Sequence, residues 1–314
     1  MTAACWFQPL LLLLLAPLIQ GCARKLKACL QNRTGASVLQ PYWDLLKNLR
    51  KEEVLSETAS PVMRAAPYAA FSATFLACFL VPVLFTASPL GFAGDMIALV
   101  YLLALPRFFM ALAGLDAGSA FGGMGSSREM MISSAAEPAL VMVLFSAAVR
   151  AGSTGASETA AALAAGGPSV LGPGLALGFI ALFLVALAEC GRLPVDNPAT
   201  HLELTMVHEA MILEHSGRSL ALLELASSLK LTLFLTLLAN LFIPWGMAGG
   251  TEPGAAALSA VAFLLKLGAL VVTLSVVETS TAKLRLFRVP DFLGIAFVLA
   301  LLGLLSEGIL RLGL

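Results

Sequence analysis

Residues 189–217 read ECGRLPVDNPATHLELTMVHEAMILEHSG and hold four glutamates, one aspartate and all three histidines of the chain. Only 12% of the 314 residues are charged, so this polar segment is an exception within its own sequence. It separates two apolar runs, residues 171–189 and 220–244, each long enough to cross the roughly 30 Å hydrocarbon core of a bilayer. The segment is therefore a loop at the membrane edge, where its side chains are solvated, paired or covered by a partner protein.

The composition assigns the whole chain to a membrane. Hydrophobic residues make up 59% of the sequence and the mean hydropathy is +0.92, whereas soluble domains contain roughly 45–50% apolar residues. Eight apolar runs are candidate spans: residues 5–22, 67–87, 95–115, 130–150, 171–189, 220–244, 256–277 and 292–312. We predict an all-α fold, a polytopic membrane helix bundle of about eight transmembrane helices, forming a single integral membrane domain over residues 1–314.

Several classes of function are not expected. The formal net charge is zero, which does not suggest a nucleic-acid partner. The five cysteines are scattered without a C-x-x-C pair, so neither an iron–sulfur cluster nor a structural zinc site is indicated. His201, His208 and His215 recur every seven residues, which on a helix places them about two turns apart, too far to share one metal ion. We therefore predict no cofactor and no metal in this chain.

The distribution of basic residues predicts the orientation. The positive-inside rule assigns one set of segments to the inner side, with Arg24 to Arg64, Arg128, Arg192, Arg218, Lys283, Arg285 and Arg288, whereas the outer segments hold only Arg150 and Arg311. Both termini are then outside, and the polar loop of residues 190–218 is inside. The first run is expected to be retained, because no basic residue precedes Leu10 as a signal peptide requires.

Residues 40–51, QPYWDLLKNLRK, predict an amphipathic helix on the inner face. Trp43, Leu46 and Leu49 fall near one side, and Pro41 is well placed to begin the helix. The helix either lies in the membrane interface or packs on the bundle as an ordinary loop helix. The sequence leaves both alternatives open.

Ionisable residues within the apolar runs are costly, from about 2.5 kcal/mol upward on insertion scales, and they are usually functional or paired. Three carboxylates, Glu137, Glu189 and Glu224, lie on the inner halves of their spans. The other ionisable residues of these runs are Lys230, Lys266, Arg107 and, at the inner end of the seventh run, Glu278. We expect the three glutamates to converge as part of a buried polar axis that carries protons. The alternative is a set of interhelical ion pairs that orient the bundle.

The loop adds Glu203 and Glu214 beside histidines that titrate near neutral pH. Pro194 and Pro198 flank Asp196 and predict a fixed turn before a helix that begins near residue 199. A solvated face explains the polarity of the loop. A docking surface for a soluble partner explains both the polarity and the fixed turn.

At these residues the chain resembles the membrane anchor subunit shared by energy-converting nickel–iron (NiFe) hydrogenases and formate hydrogenlyase, itself similar to the H-type subunit 1 of respiratory complex I. Three segments carry the resemblance: residues 189–217, residues 31–52 with QNRTGASVLQPYWDLLKNLRKE, and residues 126–140 with SSREMMISSAAEPAL. Complex I members usually have a G-P-N-R-x-G-P stretch that lines the quinone tunnel, where this chain has the shorter Thr34-Gly35-Ala36-Ser37. This departure favours the hydrogenase branch over the alternative, a subunit 1 of NADH-quinone oxidoreductase that lines a quinone site.

The resemblance implies that hydrogenase large and small subunits, carrying the nickel–iron centre and the iron–sulfur clusters, dock on the cytoplasmic face, and that antiporter-like membrane subunits adjoin the chain in a bacterial or archaeal inner membrane. The docking residues would be Arg33, Asp44, Lys47, Arg128, Arg192, Asp196, His201 and His208. The proton-coupling residues would be Glu137, Glu189, Glu203, Glu214, Glu224, Lys230 and Lys266. A stand-alone transporter and a purely structural anchor remain alternatives.

Overall fold

The computed structural model describes residues 3–56, 59–92, 95–167, 172–197, 206–250 and 252–312. In these ranges the chain forms eleven α-helices: α1 (Phe7–Leu30), α2 (Gln40–Arg50), α3 (Pro61–Cys78), α4 (Met96–Asp116), α5 (Ala120–Ala151), α6 (Ala156–Ala165), α7 (Pro173–Glu189), α8 (His208–Ile212), α9 (Gly217–Leu241), α10 (Pro253–Ser280) and α11 (Val289–Leu312). The β-structure in the described ranges consists of isolated bridges, such as Phe85 with Ala248.

Six of the described helices are long and apolar enough to cross a membrane: α1, α4, α5, α9, α10 and the segment Leu286–Ile309, most of which is α11. Helix α7 is apolar but has only 17 residues. Helix α3 has 18 residues and includes Arg64. The all-helical, polytopic character predicted from the sequence is confirmed.

The predicted span 67–87 has the wrong bounds, because α3 begins at Pro61 and ends at Cys78. The chain that follows is irregular, and its backbone groups are satisfied by a side chain of α1. Gln8 is fully buried, and its Oε1 accepts hydrogen bonds from the N–H groups of Val83, Leu84 and Phe85 at 2.8, 2.9 and 3.2 Å. Such internal partners are what permits irregular backbone near membrane depth.

Helix α9 forms the centre of the bundle. Most of its side chains from Ala226 onward are buried, and it packs against α1, α2, α3, α7 and α10. On one flank α4 lies between α3 and α5, and α11 packs on both α5 and α7. We call the end that carries α2, residues 190–197 and α8 the loop end; α6 and residues 79–92 lie at the opposite end.

The predicted amphipathic helix is confirmed as α2, Gln40–Arg50. It packs on α9 and α1, while Trp43, Leu46 and Leu49 remain exposed at 62%, 47% and 46%. The connection from α1 approaches closely at Gly21, where an added Cβ would lie 2.0 Å from the carbonyl oxygen of Val38. A side chain at that position would push the connection away from α1.

Candidate functional site

Four helices bring charged side chains together near the loop end. Arg107 of α4, Glu129 and Glu137 of α5, Glu189 of α7 and Lys230 of α9 form what we call the buried charge cluster. The Nη2 atom of Arg107 lies 2.9 Å from Oε1 of Glu137, and its Nη1 atom donates to Oε1 of Glu189. The Nζ atom of Lys230 lies 2.9 Å from Oε2 of Glu189. One arginine thus joins two carboxylates from different helices.

Glu189 is the central carboxylate of the cluster. Its side chain is 1% exposed, and it is the last residue of α7, where the helix dipole disfavours negative charge. Two cations, Arg107 and Lys230, compensate both the burial and the dipole. Without them an ionised carboxylate at this position would cost several kcal/mol.

The cluster holds three carboxylates and two cations, a formal excess of one negative charge when all are ionised (3 − 2 = 1). Glu129 is 9% exposed and interacts electrostatically with Lys230, Glu189 and Arg107. A single bound proton would make the cluster neutral. Because buried charge is expensive, such an arrangement can take up or release one proton as its surroundings change.

A small cavity opens beside the cluster and gives water a place to reach it. It offers about 40 Å³ to the centres of water molecules, and Arg107, Glu129, Glu189, Lys230 and His208 are among its lining residues. One buried water needs roughly 10–15 Å³ by that measure. The cavity therefore has room for a few waters between ionisable groups.

A larger cleft of about 500 Å³ lies at the loop end, with Lys27, Arg33, Arg192, Asp196 and Glu278 among its lining residues. Cys190, His208 and Ser227 line both this cleft and the cavity beside the cluster. These three side chains therefore separate the surface cleft from the buried charges.

His208 is the ionisable group on that boundary. Burial lowers its pKa below the ordinary value; Glu209 opposes the shift, Lys230 adds to it and Asp196 opposes it. The imidazole is consequently neutral near pH 7 and can both accept and donate a proton.

On the other side of the cluster, Glu137 reaches the lateral surface. Its side chain is 43% exposed and lines a groove of about 510 Å³, mostly apolar, together with Tyr101, Ser134 and Phe297. Glu137 therefore belongs both to the buried charge cluster and to a surface between α4, α5 and α11.

Ion pairs hold the loop end together. Glu278 accepts from Lys27 and Arg192, each at 3.2 Å. Asp196 lies 2.7 Å from Nζ of Lys283 and also accepts from the N–H of Val207 at 3.3 Å. These contacts anchor the loop to α10 and to the segment after it, and Glu278 also joins α10 to α1.

The remaining predicted coupling residues lie apart from this cluster. Glu224 accepts from Nδ2 of Asn48 at 3.3 Å, so it faces α2 rather than Arg107. Lys266 is on α10, and Glu214 is exposed. Glu203 lies outside the described residues. Of the three glutamates expected to converge, Glu137 and Glu189 therefore meet and Glu224 does not.

The predicted docking residues that the structure describes lie at the loop end. Arg33 and Lys47 are exposed, Asp44 accepts from Nε2 of Gln40 at 2.9 Å, and Arg128 donates to the carbonyl of Met206 at 3.0 Å. Arg192, Asp196 and His208 line the cleft. His201 lies outside the described residues.

Sequence reasoning did not select, as site residues, four side chains that the structure makes prominent. Arg107, Glu129 and Glu278 are charged residues in or beside apolar runs, but only packing shows which charges they meet. Glu307 is 1% exposed and pairs with Arg150 at 3.1 Å toward the opposite end. Its position inside the last apolar run was the available indication.

Comparisons with known proteins match almost the whole chain. The family model described as NADH dehydrogenase matches residues 3–306. The chain is 35% identical over 295 residues to hydrogenase-4 component C of Escherichia coli (strain K12), covering 94% of this chain and 92% of that one. It is 35% identical over 299 residues to formate hydrogenlyase subunit 4 of the same organism, covering 95% and 96%. A chain in the structure of the membrane-bound sulfane sulfur reductase, an archaeal respiratory membrane complex, superposes with a TM-score of 0.81 at 21% identity, covering 97% of this chain and 99% of that one, which supports the fold.

Proposed function

The chain belongs to the NADH dehydrogenase family of membrane subunits, and from that premise we propose that it couples a docked redox arm to proton movement through the buried charge cluster. It is a membrane subunit of the hydrogenase-4 and formate hydrogenlyase kind, related to subunit 1 of complex I. The observation that carries the coupling proposal is the sharing of Arg107 between Glu137 and Glu189, with Lys230 on the second oxygen of Glu189.

The route begins at the loop end. The cleft meets the cavity at His208, the cavity meets the buried charge cluster, and the cluster ends at the lateral groove through Glu137. Every step therefore has either an ionisable side chain or space for water. A change of charge at the loop end can therefore change where a proton resides along the route from His208 through the buried charge cluster to Glu137.

The magnitude of such coupling is sufficient. One unit charge acts on another at 10 Å with about 1.7 kcal/mol at an effective dielectric constant of about 20. This exceeds the roughly 1.4 kcal/mol that corresponds to one pKa unit. A redox change at an iron–sulfur centre docked about 10 Å from the buried charge cluster would thus move the proton equilibrium of that cluster by more than tenfold.

We place the loop end in the cytoplasm, because the basic residues are concentrated in the segments at that end. In this arrangement α3 and α7 cross the membrane together with the six longer helices, and both termini lie outside. Partner subunits would carry the nickel–iron centre and the iron–sulfur clusters and dock over the cleft. Antiporter-like membrane subunits would receive the charge change laterally.

A quinone site is the competing function for the same cleft. Sites for apolar ligands are mostly lined by hydrophobic and aromatic side chains, whereas this cleft is lined by Lys27, Arg33, Arg192, Asp196, Glu278 and other polar residues. The lining favours a polar protein surface as its occupant. Labelling of the cleft by a photoreactive quinone, with competition by unlabelled quinone, would support the competing function.

The test compares two buried glutamates in one complex. Glu189→Gln removes the central carboxylate of the cluster, and Glu307→Gln is the matched control, because both side chains are 1% exposed and ion-paired. We expect both complexes to assemble with nickel and iron–sulfur subunits after purification in mild detergent. In proteoliposomes Glu189→Gln should lose proton movement linked to turnover, and Glu307→Gln should keep it. Equal coupling in both variants would rule out the cluster as the relay.

A further inference from the structure

Helix α10 carries a lysine at mid-membrane depth that the described part of the chain leaves without a partner. Lys266 lies 13 residues after Pro253 and 14 before Ser280 (266 − 253 and 280 − 266). At about 1.5 Å per residue, each helix end is about 20 Å away. Within the described residues no hydrogen bond or ion pair reaches its ammonium group.

The face of α10 next to this lysine is not covered by the chain. Leu258 and Leu265 are each 70% exposed, and Val261 is 56% exposed. The opposite stripe, which includes Leu267, packs toward α1 and α9. Lys266 is half-buried on the border between the two sides.

Lipid does not provide an acceptor for the ammonium group of this lysine. Lysines near helix ends extend their ammonium groups to the headgroups, but Lys266 lies about 20 Å from either end of α10. Acyl chains offer no acceptor to a buried cation. The charge therefore requires an acceptor at the same depth.

A second copy of this chain does not provide one either. A twofold interface through this face would pair the face with itself. The acidic side chain that α10 itself carries, Glu278, is buried and already paired with Lys27 and Arg192 near the loop end. The complementary occupant carries a carboxylate.

We propose that the exposed face of α10 is the docking site for a transmembrane helix of another membrane subunit, and that this helix places an aspartate or glutamate against Lys266. The inference rests on the proposed function, since that subunit belongs to the same complex. Apolar side chains of α10 supply the packing, and the ion pair sets the depth and register of the partner helix.

The first test is photo-crosslinking in the intact complex, isolated from its own membrane in mild detergent. A photoreactive amino acid replaces Leu265 on the exposed face, and the matched control replaces Leu267 on the buried stripe of the same helix. We expect the Leu265 probe to link to another membrane subunit and the Leu267 probe to link within this chain.

The second test changes the charge. Lys266→Met should lower the amount of that membrane subunit recovered with the complex by about fivefold or more, as expected for loss of a polar contact worth about 1–2 kcal/mol between membrane helices. Lys266→Arg keeps the positive charge and should leave the recovery of that membrane subunit unchanged.

The outcomes separate the two proposals. If the Leu265 probe labels only lipid while membrane subunits still copurify, the docking face is wrong and the proposed function stands. If no membrane subunit copurifies with the unmodified chain, the docking proposal fails, and the proposed function is decided by the comparison of Glu189→Gln with Glu307→Gln. Full recovery with Lys266→Met would show that the ion pair does not form.

Discussion

Replacing Arg107 by methionine should destabilise the fold by about 3–4 kcal/mol. Methionine keeps much of the apolar volume but removes both donors to the carboxylates. Removing one partner of a buried ion pair costs about 3–5 kcal/mol, and the lower end applies because Lys230 remains 2.9 Å from Glu189. Loss of the ion pair with Glu137 adds only about 0–1 kcal/mol to this cost, since the side chain of Glu137 is 43% exposed.

A double-mutant cycle isolates the interaction. Without Arg107, the buried carboxylate of Glu189 keeps only one of its two cations. Removing that carboxylate by Glu189→Gln should therefore cost less free energy of unfolding in the Arg107→Met background than in the unmodified chain. We expect the two single changes to sum to about 2 kcal/mol more than the double change, within the range measured for contacting residues.

The assay is reversible unfolding of the full chain in mixed micelles with a rising fraction of SDS, followed by helical circular dichroism. Lys47→Met serves as the control, because Lys47 is exposed on α2, and surface changes usually stay within about 0.5 kcal/mol. A cost below about 1 kcal/mol for Arg107→Met, or strict additivity in the cycle, would refute the assignment of Arg107 as the shared cation of two glutamates.

Three further predictions concern other parts of the fold. Because burial lowers the pKa of His208, the unfolded chain takes up a proton before the folded chain does as the pH falls through about 6.5. Stability should therefore fall as the pH is lowered through that value, and His208→Gln should reduce the slope by up to about 1.4 kcal/mol per pH unit; an unchanged slope would contradict this. Gln8→Leu leaves three backbone N–H groups without their acceptor and should cost about 3 kcal/mol or more in the same unfolding assay; near-neutral behaviour would mean that the irregular segment has other partners. Gly21→Ala should detach the connection near Val38 and increase its proteolysis, whereas Gly123→Ala, which meets open space, should be neutral or stabilising by up to about 1 kcal/mol; equal proteolysis of both variants would contradict the close approach.

Much of the fold was predictable because it depends on local composition. The bounds of α2 agree with the prediction within one residue, since Pro41 lies in the first turn of the helix and the apolar spacing identifies its face. Pro82 is a local signal that α3 does not continue through the predicted span, whereas the support of the irregular chain that follows depends on Gln8, 75 residues before Val83. A hydropathy pattern cannot show that a side chain from another helix satisfies the backbone there.

The candidate site was likewise predictable only in part. The sequence identified Glu137, Glu189 and Glu224 as charges placed within apolar runs. Which of them share a partner depends on how each helix is rotated about its axis. In the folded chain Arg107 meets Glu137 and Glu189, while Glu224 turns toward Asn48.

The amino-acid sequence alone thus determined that this is a helical membrane protein and which charges lie at membrane depth, because the cost of transferring each segment into lipid is a property of the segment itself. Tertiary structure alone decided which charges neutralise one another and which one, Lys266, is left for a neighbour by the described part of the chain. The reason is that ion pairs between helices require contact within a few ångströms, and only the packing of the helices around α9 provides it.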